Sequence, residues 1–173
     1  MKNKRNTMQS SYGLSTTYLQ DLCEKLLPHF SGVVSCDNLS EAFPHLSQTQ
    51  CAIVNSMEAE ISFGHWLAVI FDVHKNKFIF WDPLGFPLSM YPQIETFLKQ
   101  SGKRINCLRH AIQHMTLSVH CGYFSLAFLL SFEIGIDPNS FFQLFDKNDL
   151  LLNDDISVIF IKACIKKLQS SRL

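Results

Sequence analysis

The sequence predicts an α+β fold, on three observations. A single amphipathic helical pattern opens the chain. Closely spaced, β-rich apolar runs follow, and helical patterns then occupy most of the last third. At 173 residues, with 47% hydrophobic residues and 15 phenylalanines, the chain can bury a substantial core, and at 17% charged residues it lacks the composition of a disordered protein. The organisation expected is a loose polar stretch over 1–14 followed by a single domain over 15–173.

Thr16 or Thr17 could cap a first helix through Leu27, with Leu19, Leu22, Cys23, Leu26 and Leu27 on one face and Pro28 ending it. Residues 32–48 look loop-like, with only a short apolar Val33-Val34. Cys51 to Val54 predicts a buried strand, and Met57 to Phe63 a connection without periodicity. His65 to Val73 is nearly all apolar and predicts a central strand. His74 to Lys77 supplies a polar turn, and Phe78 to Trp81 the second arm of a hairpin. Asp82-Pro83-Leu84-Gly85 stops that strand, since proline cannot donate to a ladder. Ser89 to Gln100 predicts a helix stopped by Gly102, and Arg104 to Leu108 a short strand. Cys121 to Ile134 predicts a helix closed by Gly135. Asp137-Pro138 starts another, with aspartate as N-cap and proline in the first turn. Asn153 to Leu168 predicts the last helix, with Ile156, Ile159, Phe160, Ala163 and Cys164 as its apolar stripe and Lys162, Lys166 and Lys167 on its polar face.

Lysine plus arginine and aspartate plus glutamate number 15 each, so the formal net charge is zero. A protein binding nucleic acid through bulk charge would be clearly basic. Lys99, Lys103, Arg104 and Arg109 cluster in the middle third, as an anion-facing patch or as solvated helix and strand ends. The charged start, Met1 to Arg5, has no apolar segment after it, so no signal peptide is expected. The apolar run Tyr123 to Phe132 is too short to span a bilayer. The six cysteines contain no CxxC pair and no zinc spacing. These features predict a soluble, non-secreted protein with mostly free thiols.

Three residues invite a catalytic reading. Cys121-Gly122 opens an apolar helix, and a helix N-terminus favours thiolate over thiol. Gly122 would let a substrate approach the sulfur. A buried structural cysteine is the alternative. A thiolate nucleophile needs an imidazole partner. His65, at the start of a rigid strand, is the best placed of seven histidines; a core histidine bonded to the backbone is its alternative. Asp82 ends the neighbouring strand and could orient the imidazole, or be an ordinary turn aspartate. Gln113 and the Cys121 N–H are the candidate oxyanion donors. A zinc site built from His110, His114 and His120 is a further alternative.

The ordered pieces Cys51-Ala52-Ile53-Val54-Asn55, Gly64-His65-Trp66-Leu67-Ala68, Trp81-Asp82-Pro83-Leu84-Gly85-Phe86 and Cys121-Gly122-Tyr123-Phe124 resemble the adenovirus endopeptidase (adenain) family of cysteine proteases. That family is related in fold to the proteases that process ubiquitin-like proteins. The resemblance implies a papain-like or ubiquitin-like-protease type of fold, a central mixed sheet flanked by helices, with the catalytic cysteine at a helix N-terminus. It implies His65 as base, Asp82 (where adenain has glutamate) as its orienting acid, Cys121 as nucleophile, and Gln113 with the Cys121 N–H as oxyanion hole. Trp66 would wall the substrate cleft.

The same resemblance implies cleavage after glycine, at Gly-Gly or Gly-x-Gly sites of viral capsid or core precursors, in the host nucleus or cytoplasm and in the virion. No cofactor would be required for the chemistry. The family is stimulated by DNA and by a short viral peptide that forms a disulfide with it, and Cys107 lies in the region for that disulfide. The zero net charge argues against strong DNA binding. Two other functions fit these residues: a protease of ubiquitin-like modifiers, and a peptide-binding module without catalysis.

Overall fold

The structure is a computed structural model describing residues 13–61 and 63–170. Strands β1 (Phe30–Ser35), β2 (Gln50–Asn55), β3 (Trp66–Asp72), β4 (Lys77–Trp81) and β5 (Arg104–Leu108) lie side by side in chain order. β1 and β2 run parallel, as do β4 and β5, while β2–β3 and β3–β4 are antiparallel. The sheet is therefore mixed. Its hairpin, β3–β4, turns through Asn76, whose φ of 45° is a left-handed conformation that asparagine tolerates.

The central strands are apolar on both sides because both faces of the sheet are covered. Trp66, Ala68 and Ile70 of β3, with Ile79 and Trp81 of β4, face helices α1 (Thr16–Leu26), α4 (Cys121–Glu133), α5 (Pro138–Phe142) and α6 (Leu152–Ser170). Leu67, Val69 and Phe71, with Phe78 and Phe80, face α2 (Leu39–Ala42) and α3 (Pro92–Gln100). Helix α4 is buried from Gly122 to Ser131, on all sides. That is why its sequence shows no amphipathic stripe. Trp81 is fully buried among Phe128, Phe141 and Phe142, with ring centroids 5.0–5.8 Å away, and its indole N–H donates to the His110 carbonyl at 2.9 Å. The first helical turn of α5 is held as expected: Asp137 accepts from the Asn139 and Ser140 N–H groups. No helix among the described residues is long and apolar enough to cross a membrane.

Several expectations are corrected. The stretch expected as loop over 32–48 holds most of β1 and all of α2. β1 was hidden because its pairing with β2 is non-local and its register shifts between Phe30 and Gly32. The cap of α1 is Ser15, whose Oγ accepts from the Tyr18 N–H at 3.3 Å; Thr16 and Thr17 are already helical. The helix expected over 89–100 is a short 3-10 turn (Leu88–Met90) followed by α3, because Pro92 has no N–H for a continuous ladder and fits only a helix start. The loose stretch expected over 1–14 lies outside the described residues except for Gly13 and Leu14. Leu14 is not loose: its carbonyl accepts the Trp66 indole N–H at 3.0 Å.

The apolar stripe of α6 is also rotated. Cys164 is buried and Ile156 and Phe160 are partly buried, but Ile159 is 65% exposed and Ala163 faces outward. Asn153 and Ser157 are fully buried instead. Their polar atoms are satisfied inside, Asn153 by the Ile112 and Asp146 backbones and Ser157 by the Asp154 carbonyl. Hydrophobicity alone could not forecast that choice of face.

Candidate active site

His65 immediately precedes β3. Its backbone is pinned from both sides by Ser56: the His65 N–H donates to Ser56 Oγ at 2.9 Å, and the Ser56 N–H donates to the His65 carbonyl at 2.8 Å. Asp82 follows the last residue of β4, and the β3–β4 register sets Ala68 against Trp81. The strand ends therefore bring the two side chains together. His65 Nε2 and Asp82 Oδ1 are 2.6 Å apart, and the imidazole is near enough to Cys121, at the start of α4, for the sulfur to influence its charge. Asp82, His65 and Cys121 are thus brought to one place. Asp82 is fully buried, and the His65 side chain is 19% exposed.

A buried carboxylate needs donors. Asp82 has four. Oδ1 accepts from His65 and from the Leu84 N–H at 2.8 Å; Oδ2 accepts from the Phe86 N–H at 3.2 Å and the Tyr91 hydroxyl at 2.6 Å. Tyr91 was missed by sequence reasoning. It sits nine residues beyond Asp82 in a segment with no motif, and only the break before α3 brings it back. Burial pushes its hydroxyl pKa strongly upward, and the Asp82 charge adds to this, so it remains a donor. For His65, burial opposes the charged form. Hydrogen bonds to Asp82 and Cys121, and their charges, outweigh it and lift the imidazole to about 9.

Gly85 makes the Asp82 turn possible. Its φ is +75°, and a Cβ there would stand 2.9 Å from the Ala111 backbone nitrogen. That close approach brings together the Asp82 turn and the loop carrying Gln113. The Ile112 and Gln113 N–H groups both donate to the Pro83 carbonyl. Gln113 is buried; its Nε2 donates to the Ser118 carbonyl at 3.2 Å, and its Oε1 has no partner.

Trp66 is 7% exposed and packs in the core with residues of α1 and α4. A Cβ at Gly122 would lie 3.2 Å from Trp66 Cδ1 and 3.3 Å from Leu14 Cβ and Leu19 Cδ1. Core side chains therefore crowd position 122 tightly. Cys107 is not part of this cluster. On β5 it packs with the α2–α3 face of the sheet, whereas its neighbour Leu108 packs with the α4 face. The histidines of the zinc alternative have separate partners: His110 stacks on Phe142, His114 accepts two backbone N–H groups, and His120 faces Asp154. Among the described residues no group of three His, Cys, Asp or Glu side chains could hold a metal ion.

The chain is similar to known viral proteases. The adenovirus endoprotease family model matches residues 30–151. The protease of porcine adenovirus A serotype 3 is 30% identical over 152 residues, covering 78% of this chain and 74% of that protein. The protease of bovine adenovirus 2 is 36% identical over 70 residues, covering 40% of this chain and 33% of that protein. Among solved structures, the SUMO protease Ulp1 with its catalytic cysteine oxidised to a sulfenic acid aligns with a TM-score of 0.48 at 15% identity, over 87% of this chain and 78% of that one. ChlaDub1 from Chlamydia trachomatis aligns with a TM-score of 0.44 at 21% identity, over 61% of this chain and 47% of that one. The chain belongs to the adenovirus endoprotease family and is a cysteine peptidase of viral type.

Proposed function

We propose that this peptidase cleaves viral precursor proteins after glycine, with Cys121 as nucleophile, His65 as acid and base, and Asp82 as the group that orients His65. The observation that carries the catalytic assignment is the buried Asp82–His65 hydrogen bond standing beside Cys121, the first residue of α4. A protonated His65 beside the sulfur stabilises a thiolate, and the α4 N-terminus adds to that. Asp82 occupies Nε2, which leaves Nδ1 for the sulfur and the leaving group.

The thiolate attacks the carbonyl carbon after glycine, and a C–S bond forms. The oxyanion is held by the Cys121 N–H, which as the first helical residue has no partner within α4, and by the second amide hydrogen of Gln113. The tetrahedral intermediate collapses, the C–N bond breaks, and His65 gives its Nδ1 proton to the departing amine. Neutral His65 then takes a proton from water, the hydroxide attacks the thioester, and the acid leaves. That restores the thiolate and the imidazolium.

Family membership supports the glycine preference and the choice of capsid or core precursors. It also supports action in the infected cell's nucleus or cytoplasm and in the virion. An activator peptide would find β5 at the edge of the sheet, with Cys107 in that strand. Charge balance favours weak or no DNA binding. The test is hydrolysis of fluorogenic peptides ending in Gly-Gly or Gly-x-Gly, with and without DNA, by wild type and Cys121→Ala. Activity lost in the variant is expected; equal rates would remove Cys121 from the mechanism.

A further inference from the structure

The loop from Ile112 to His120 carries Gln113 and delivers the chain into Cys121, so its shape sets where both oxyanion donors stand. One end of this loop is tied to the Asp82 turn through the Pro83 carbonyl. Further ties come from the first turn of α6, outside the residues that the family model matches. Asn153 is fully buried. Its Nδ2 donates at 2.9 Å to the Ile112 carbonyl, next to Gln113, and at 2.9 Å to the Asp146 carbonyl, while its Oδ1 accepts the Asp146 N–H.

Asp154 holds the other end. Its Oδ1 accepts the Ser118 hydroxyl at 2.7 Å, and its Oδ2 lies 3.1 Å from His120 Nδ1. Ser118 passes the restraint on in both directions. Its carbonyl accepts the Gln113 amide, and its Oγ accepts the N–H of His120, the residue before Cys121. Two successive side chains of α6 therefore fix the start and the end of the oxyanion loop. This explains why α6 turns polar Asn153 inward and leaves Ile159 outside.

We infer that Asn153 and Asp154 are positioning residues that hold Gln113 and the Cys121 N–H at the spacing an oxyanion requires. The inference rests on the catalytic reading above and concerns only acyl transfer. Acyl transfer builds an oxyanion, whereas alkylation of the sulfur does not. The two reactions separate this role from a general structural one.

The experiment compares acylation of the full chain by p-nitrophenyl acetate with alkylation of Cys121 by iodoacetamide. Neither probe depends on peptide preference. In the first, the thiolate forms the C–S bond, the C–O bond breaks and p-nitrophenolate leaves without needing a proton. Misplacing an oxyanion donor by about 1 Å should slow acylation by up to about 10²-fold. Asp154→Ala and Ser118→Ala are expected to lose acylation on that scale while alkylating Cys121 at the wild-type rate. Asp154→Asn keeps an acceptor oxygen for Ser118 and is expected to retain most of the acylation rate. Unchanged acylation in both alanine variants would overturn the inference, as would parallel loss of acylation and alkylation. A wild type inert to both probes at Cys121 would refute the catalytic reading, and this inference with it.

Discussion

Replacing Asp82 by asparagine tests the electrostatics of the site most directly. The carboxylate is buried and accepts four hydrogen bonds, two on each oxygen. An amide offers one oxygen and one NH2 group. If the oxygen stays opposite His65 and Leu84, the NH2 group faces Tyr91 and Phe86. The Tyr91 hydroxyl can rotate to accept, but the Phe86 N–H cannot. One buried donor is then unpaired, costing about 1–3 kcal/mol of stability. His65 keeps an acceptor but loses the charge behind it. A hydrogen bond to a charged group contributes about 1.5–3 kcal/mol, so the His65 midpoint should fall by about 1–2 pH units from about 9. At pH 8 the imidazolium share then drops from about nine-tenths to between about one-half and one-tenth, which alone lowers the active ion pair by about 2–10-fold. NMR titration of the His65 ring in both proteins is the assay. A wild-type midpoint near 6.5, or an unchanged midpoint in Asp82→Asn, would refute this account of the site.

Tyr91→Phe removes one donor from the same carboxylate without touching its charge. Stability should fall by about 1.5–3 kcal/mol in urea unfolding, while the His65 midpoint holds or rises, because a less satisfied carboxylate grips the imidazolium harder; a falling midpoint would contradict this. The raised His65 value also links stability to pH. The folded pKa, about 9, exceeds the ordinary value of 6.5, so this contribution is complete below pH 6.5 and is lost as pH rises through about 9. Urea unfolding of wild type and His65→Gln from pH 6 to 10 should show the gap between them closing toward high pH, and a gap that widens would show the sign to be wrong.

Much of this protein was determined by local sequence alone. The apolar runs at 51–54, 65–73 and 78–81 are strands in any context that buries both their faces, and Asp137-Pro138 starts a helix by its own chemistry. His65, Asp82 and Cys121 each had an ordinary alternative taken singly, and were legible only in combination, each at the end of a regular element and in the order of the family's motifs. Tertiary structure decided what depends on partners distant in sequence. β1 exists because β2 pairs with it, and Phe30–Ser35 carries too little periodicity to announce it. Tyr91 reaches Asp82 only after Pro92 breaks the helix. Gly122 stands against Trp66, Leu14 and Leu19, neighbours that only the fold supplies. The facing of α6 shows the reason most clearly: its hydrophobic pattern favoured Ile159, but the backbone groups of a loop forty residues earlier required Asn153 inside. Periodicity records what a segment can bury, and the unsatisfied hydrogen bonds of its neighbours decide what it does bury.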